Sequence, residues 1–389
     1  MATNPYFNKI IKDDTTLIDL TGDSVAPADV AQGKTFHDAS GAPQTGTASG
    51  GGGGGFDWSQ ITQCRIGSPV SGSYTIDLTG LDTSTFTSMA QMFYQNTVGY
   101  LFGLTTLDTS SVTNFNQMFS ECYQVQNLDL SGFDTSAATQ MQGMFYGCRG
   151  LNRITLGNDF DTSGVTSMTN LFYNCKKLDV TLVAPLLDVS ACQDFSYMFY
   201  QCFDSSSYPS TAGTSLDLHG WDTSKATNMD DMFYSCYKMT ALNVSGWDVD
   251  TVTRFDSTFR LCAGLTHLDL SDWDTAAATR ITNMFYGCVN LQDLNLWNFD
   301  TSHVSSATNS NNVFTQCSNL EHIIWSQKST IQPLKQTPAN MGITSGMKFY
   351  VPDDMVNDYK AATNWSTISG QIYSINDLPQ SVKTTYGIS

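Results

Sequence analysis

The 389-residue chain has only 14% charged side chains, yet its 36 acidic and 18 basic residues leave a formal charge of −18. Such a surplus repels phosphate backbones and anionic lipid, which argues against nucleic acid or a charged membrane surface as partner. No apolar run approaches the ~18 residues of a spanning helix, so membrane insertion is not expected.

The opening MATNPYFNKIIKDD lacks the basic and apolar regions of an export signal, and synthesis and folding in the cytosol are expected. TLIDLTG (Thr16 to Gly22) reads as a short strand. Pro27 to Gln32 reads as a short helix with Pro in its first turn and Gly33 as its stop. GKTFHDASGAPQTGT then forms a small hairpin: Lys34 to His37, a turn through Asp38 to Gly41, and a return to Thr47. Gly50 to Gly55 satisfies GxGxxG trivially, but it follows no strand and opens no helix, so it is read as a hinge and not a phosphate loop. Residues 56–75, with Phe56, Trp58, Ile61 and Ile66, supply apolar surface to cap the segment that begins near residue 76.

From about residue 76 to residue 317 the chain repeats. Aligned on Asp followed by Thr or Val, the copies fall at Asp82, Asp108, Asp134, Asp161, Asp188, Asp222, Asp248, Asp274 and Asp300, in steps of 26, 26, 27, 27, 34, 26, 26 and 26 residues. A Phe follows eleven residues after each of the first eight and fourteen after the ninth (Phe314), and a period of this length is the signature of a solenoid. Within a copy, Leu265-x-x-Leu268-x-Leu270 has the alternation of a strand. After the Asp, apolar residues at plus 4, 7, 10 and 11 (Val165, Met168, Leu171, Phe172) predict one face of a short helix, with the Thr at plus 5 as its cap. The fold class expected is therefore a repeat solenoid, leucine-rich-repeat-like, of about nine 26-residue repeats with a parallel sheet on one face and short helices on the other. Its organisation is a module at 1–49, a linker at 50–55, a solenoid with N-terminal cap at 56–325 and a C-terminal cap at 326–389.

Several ladders invite chemistry. Cys122, Cys148, Cys175, Cys202, Cys236, Cys262, Cys288 and Cys317 all sit three residues after a ladder Phe. One repeat position filled eight times reads as a reduced, stacked core, against bridges or metal as the alternative. The nine Asp read as turn carboxylates accepting N–H bonds, against catalytic or metal-binding carboxylates. Trp221, Trp247 and Trp273 share a slot with Phe133, Phe160, Phe299, Leu81, Leu107 and Leu187, which favours core over an exposed sugar- or protein-binding stripe. The outward strand position reads Asp77, Gly103, Asp129, Thr155, Val183, Asp217, Asn243, Asp269, Asn295: a solvated polar face, or a cation stripe along its last four. Five scattered His and no HExxH or GxSxG leave no catalytic set, and neither cofactor nor metal is expected. The binding candidates are the long loop after Cys202, with Asp204, Ser205, Ser206, Ser207, Tyr208, Pro209 and Ser210, and the outward Asp217, Asn243, Asp269 and Asn295. The lengthened segment Ser302 to Asn312 comes second.

Two families resemble these motifs. KIIKDDTTLIDLTGDSV with HD-x-SG-x-x-x-TGT is similar to N-terminal modules of phage tail-fibre and other virion appendage proteins, which implies attachment to a virion structural protein through residues 1–49. LDLSxxDTSxVTxMxxMFxxC, with MKFYVPDDMVNDYKAATNWSTISGQIYSI at Met347 to Ile375, resembles the BspA-like leucine-rich-repeat surface proteins, whose members bind host proteins or other cells. Together they imply a non-enzymatic, receptor-binding virion component released by lysis, with a host cell-surface protein or glycan as partner. A bacterial surface adhesin is the alternative, and a glycan-degrading enzyme a more distant one. The first resemblance also points to a homo-oligomer, trimers being common among such appendages, although no heptads impose one.

Overall fold

The computed structural model describes residues 81–203 and 213–388, and before them only the strands named below and Leu78. The chain divides into two compact units, residues 1–165 and 166–389.

In the first unit, β1 (Phe7–Lys12) pairs antiparallel with β2 (Thr15–Asp19) and with β5 (Gln63–Ile66). β3 (Thr35–His37) pairs antiparallel with β4 (Pro43–Thr45), matching Thr35 to Thr45 and His37 to Pro43. The strand within TLIDLTG and the hairpin lie where the sequence puts them; β5 differs, joining the N-terminal sheet although it follows the glycine run. The helix expected at Pro27 to Gln32 lies outside the described residues. The repeats begin with β6 (Thr75–Asp77) parallel to β7 (Tyr100–Phe102), and β8 (Asn127–Leu130) parallel to β9 (Arg153–Leu156). In β8 the burial alternates, with Leu128 and Leu130 inward and Asp129 outward.

In the second unit, β10 (Ser215–Asp217) runs parallel to β11 (Ala241–Asn243). A five-stranded parallel sheet then joins β12 (His267–Asp269), β13 (Asp293–Leu296), β14 (His322–Trp325), β15 (Lys348–Val351) and β16 (Ile372–Ser374) in sequence order. The fifth copy replaces its strand with two 3-10 turns, Val180–Leu182 and Ala184–Leu186. The lengthened segment of the ninth holds another, Ala307–Ser310. Three short helices complete the C-terminal part: α1 (Pro338–Met341), α2 (Val356–Ala361) and α3 (Gln380–Tyr386). No helix of the described residues is long and apolar enough to cross a membrane.

The recurring Asp-Thr-Ser of each copy is a turn and a tie. All nine aspartates accept the backbone N–H two residues on, at 2.7–3.1 Å, so the carboxylate satisfies a donor that the turn would otherwise strand. The Thr after it is buried, and its hydroxyl donates to the carbonyl of the next copy's Asp, as from Thr109 to Asp134 and from Thr223 to Asp248.

The return segment corrects the expected helix. Residues at plus 9 and plus 13 are left-handed, with φ between 56° and 73°: Asn170 and Asn174 in one copy, Gly143 and Gly147 or Asp231 and Ser235 in others. Two such residues four apart interrupt any α-helix. The segment is instead a run of tandem turns. Met168, Asn170, Phe172 and Asn174 donate their N–H groups to Asp194, Ser196, Met198 and Tyr200 of the following copy, while Leu171, Tyr173 and Cys175 close turns on residues three back. Every backbone donor in this stretch is paired, about half of them between coils, so the ladder ties each coil to its neighbour. The Thr at plus 5 is not a cap either: the hydroxyls of Thr253 and Thr279 donate to the same position of the preceding copy, Thr227 and Thr253.

Inside the coils the ladders are core. Within the second unit Phe199, Phe233, Phe259, Phe285 and Phe314 stack in near-parallel planes at 5.4–5.9 Å. Trp221, Trp247 and Trp273 stack beside them at 5.7 and 6.0 Å, each at most 5% exposed. The nine cysteines from Cys122 to Cys317 are buried. The ladder thiols of Cys122, Cys236 and Cys317, among others, donate to the carbonyl of the preceding copy's Phe at 2.9–3.2 Å, and burial pushes those of Cys122 and Cys317 up to about 12. These are packing thiols, not nucleophiles.

Candidate functional site

The residues singled out from the sequence do not converge. Asp204, Ser205, Ser206, Ser207, Tyr208, Pro209 and Ser210 lie outside the described residues. At the far side of that stretch, the N–H of Gly213 donates to Asp179 Oδ2 at 3.1 Å, beside the 3-10 turn Val180–Leu182. There Leu182 and, on the next turn, Leu186 are the most exposed of the large apolar side chains described, at 70% and 65%.

The outward strand positions form a broken stripe. Asp217 and Asn243 are adjacent and exposed in the β10–β11 register. A hydrogen bond from His219 Nδ1, 2.8 Å away, holds the Asp217 carboxyl below the usual carboxylate range. Asp269 pairs in register with Asn295, but loss of solvent beside Tyr386 pushes its carboxyl up. Asn295 is a correction: it is only 3% exposed, and its Oδ1 has no hydrogen-bond partner. The outward row turns apolar beyond it, through Ile324 and Tyr350. Leu378 and, from α3, Val382 close over that apolar surface, with Trp297, Tyr373 and Tyr386 packed alongside. Two further outward slots change. The register pairs Asp77 with Phe102 and not Gly103, and Val183 is buried. Among the described residues no group of three or more His, Cys, Asp or Glu is placed to hold a metal ion.

A different row, overlooked in the sequence, lies on the return face of the second unit. The residue directly after each ladder Phe is Tyr173, Tyr200, Tyr234, Arg260 and Tyr286 in successive coils, all half-buried. Tyr173 and Tyr200 stack at 4.4 Å and Tyr200 and Tyr234 at 4.6 Å, with planes within 8° of parallel. The Arg260 guanidinium fills the next rung, 5.2 Å from the Tyr234 ring and 4.8 Å from that of Tyr286. Its Nε has no hydrogen-bond partner, and besides the two rings the Asp231 carboxylate acts on its charge. Beside this row runs the first left-handed position of each coil: Asn170, Tyr197, Asp231, Ser257 and Asn283. Tyr197, 37% exposed, lies 6.4 Å from Tyr173 and 5.9 Å from Tyr200, and its hydroxyl donates to the Asp231 carboxylate. Charge pairs join adjacent coils beside this row, Arg254 to Asp230 and Arg280 to Asp256, with the carboxylates largely buried and the guanidiniums about half exposed. Asp230 and Asp256 also accept the N–H groups of Asp256 and Thr282, at 2.8 Å each. The signal for this row was present in the sequence as Phe-Tyr repeated at fixed register, masked by the more regular Phe beside it.

Burial pushes the Asp231 carboxyl up to about 6, Asp230 adding to the effect and Tyr197 opposing it. A raised folded-state value means that the contribution to stability is complete below the unfolded value of about 4 and is lost as pH rises through about 6. Asp231→Asn, a residue that Asn170 and Asn283 show the slot accepts, is expected to raise the thermal midpoint at pH 8 more than at pH 5. Discounted for partial exposure, the gain at pH 8 is about 1 kcal/mol. Equal midpoint shifts at the two pH values would refute the assignment.

The family model described as "Mycoplasma protein of unknown function, DUF285" matches residues 70–182, 127–207 and 194–327. Those segments hold the copies that resemble BspA-like leucine-rich-repeat proteins. No curated protein matches the chain. Among solved structures, a leucine-rich repeat protein from Bacteroides ovatus is similar at 13% identity, over 77% of this chain and 83% of its own, with a TM-score of 0.21 that is too low to carry an argument. The three family matches together cover well over half of the sequence, and the chain belongs to the DUF285 family of repeat proteins.

Proposed function

We propose that this chain is a non-enzymatic binding protein displayed at a surface, in the manner of the BspA-like leucine-rich-repeat proteins, and that its ligand belongs to a host or neighbouring cell. The observation that carries the reading is how the repeat uses its residues. Asp, Thr, Phe and Cys, the positions that recur, are consumed by turns, ties between coils and core. The positions that reach the surface change from copy to copy, as the exposed Asp217 and Asn243 do on the strands and the half-buried Asn170 and Asp231 and the exposed Tyr197 do on the return. A scaffold of that kind displays a surface that can diversify while the fold stays fixed.

Fluorescently labelled full-length chain is expected to bind cells or mucosal ligand saturably, and to lose binding when residues 203–214 are shortened. Absence of saturable binding across a panel of bacterial and host cells would sink the reading.

A second reading, a phage or prophage virion appendage attached through residues 1–49, is favoured by one observation. The segment resembling virion modules holds an antiparallel pair, Thr35–His37 with Pro43–Thr45, at the hairpin position that its motif implies. Both readings share the binding role and differ in location, cell surface against virion. Neighbouring capsid and tail genes would select the virion; neighbouring secretion and cell-wall genes would select the cell surface.

A further inference from the structure

We propose that the flank of the tyrosine row of the second unit, at Tyr197 and Asp231, recognises an arginine side chain of a protein partner. The inference rests on the binding role just proposed and names the face and the partner's chemistry. It starts from the row's own composition. The fourth rung of a tyrosine stack is a guanidinium, seated between the rings of Tyr234 and Tyr286 at 5.2 and 4.8 Å. The strip thus already holds the group that it would bind, in the geometry in which ring quadrupoles attract a planar cation.

Beside it stands a pair of groups that suits a second guanidinium. Tyr197 is 37% exposed, and the adjoining Asp231 carboxylate, which accepts from its hydroxyl and feels the Arg260 charge, has further acceptor capacity. A ring to stack on and a carboxylate to accept from are what an arginine head requires. The surroundings, Asn170, Ser257 and Asn283, add short polar side chains to rigid tyrosines, the mixture that suits protein recognition. The chain's charge of −18 draws a basic partner from a distance.

A glycan fits less well. Tyr173, Tyr200 and Tyr234 bury their faces in one another at 4.4 and 4.6 Å, so the Tyr197 ring beside them is the one offered for stacking, and a single ring next to a carboxylate suits a guanidinium better than a sugar.

The test is calorimetric titration of the full chain with a nona-arginine and a nona-lysine peptide at about 0.5 M salt, where screening lengths of a few ångströms remove diffuse attraction to an acidic protein. The variant is Tyr197→Asn with Tyr200→Ser. It leaves net charge unchanged and uses residues that the fold already holds at those slots, Asn170 or Asn283 for the first and Ser120 for the second. The arginine peptide is expected to bind the natural chain in high salt, the lysine peptide more weakly, and the variant to bind arginine about tenfold more weakly. Tenfold is about 1.4 kcal/mol, the worth of one partly desolvated cation–π contact. Loss of all binding in high salt, or equal binding by variant and natural chain, would overturn the proposal. Should the double variant fail to fold, Tyr197→Asn alone has to weaken the arginine peptide. Cell binding that survives the double substitution overturns this strip and leaves the adhesive role standing. A natural chain that binds no cell removes the adhesive role while the peptide titration still decides the strip.

Discussion

Trp247→Ala is expected to destabilise the second unit by about 3–5 kcal/mol, the usual cost of emptying a fully buried indole site. The ring is 1% exposed and lies between Trp221 and Trp273 at 5.7 and 6.0 Å in almost parallel planes. Its Nε1 donates to the carbonyl of Leu218 at 2.8 Å, so alanine removes a hydrogen bond as well as a ring. Coils in a repeat array are supported by their neighbours, and a cavity at one rung weakens two interfaces at once. Guanidinium unfolding followed by far-ultraviolet circular dichroism would measure the loss, and a cost under about 1 kcal/mol would mean that the indole stack is not core. Trp273→Phe offers a contrast. The Trp273 Nε1 is buried with no hydrogen-bond partner, and Phe133 and Phe299 occupy the same slot elsewhere. Phenylalanine therefore removes an unsatisfied donor while keeping most of the packing, and a change within about 1 kcal/mol is expected.

How far these ladders could be read from sequence depends on whether the cause is local. The Asp turns and the Cys core follow from one residue type filling one register position, the Trp slot from Trp, Phe and Leu sharing one, and each has the role that its chemistry suggested. The return segment misled because two structures share its spacing. Apolar residues at plus 4, 7, 10 and 11 mark one face of a helix, but they also mark the inward residues of consecutive four-residue turns. The deciding sign was in the polar positions. Asn170 with Asn174 and Gly143 with Gly147 place residues tolerant of left-handed backbone four apart, which suits tandem turns and penalises a helix.

Asn295 was illegible for another reason. Nothing near it announces that Leu378 and Val382 will cover the end of the sheet, because that cover is made by apolar surface at Ile324 and Tyr350 from later coils. The strand alternation correctly placed Asn295 on the outward face, and a long-range contact then removed that face from solvent. The tyrosine row sits between these cases: its register was regular and local, but its meaning depends on ring planes and on Arg260 occupying a rung. In each case periodicity located a position, and chemistry beyond the repeat decided its use.

Gly342→Ala should show how tightly the C-terminal part is keyed to the last repeats. Gly342 follows α1 with φ +80°, and its N–H closes the helix end on Ala339 and Pro338. A β-carbon there would lie 2.4 Å from both the backbone nitrogen and the Oγ1 of Thr315, and 2.5 Å from its Cα. Two costs add. The left-handed conformation penalises an L side chain by about 1–2 kcal/mol, and forcing an atom into backbone that belongs to a neighbouring coil costs about 1–3 kcal/mol more. Rotating a flexible side chain cannot relieve the second, because two of the three atoms met are main chain. Thr315 N–H closes a turn on Asn312, while Asn312 and Phe314 donate to Asn340 and Met341, so displacement would strain the ties between the ninth copy and α1. A loss of about 2–5 kcal/mol is expected, together with faster amide exchange at Asn312 and Phe314 than in the coils around Trp247. Unchanged stability would show that α1 can lift from the ninth copy without cost, and that the repeats end there without needing it.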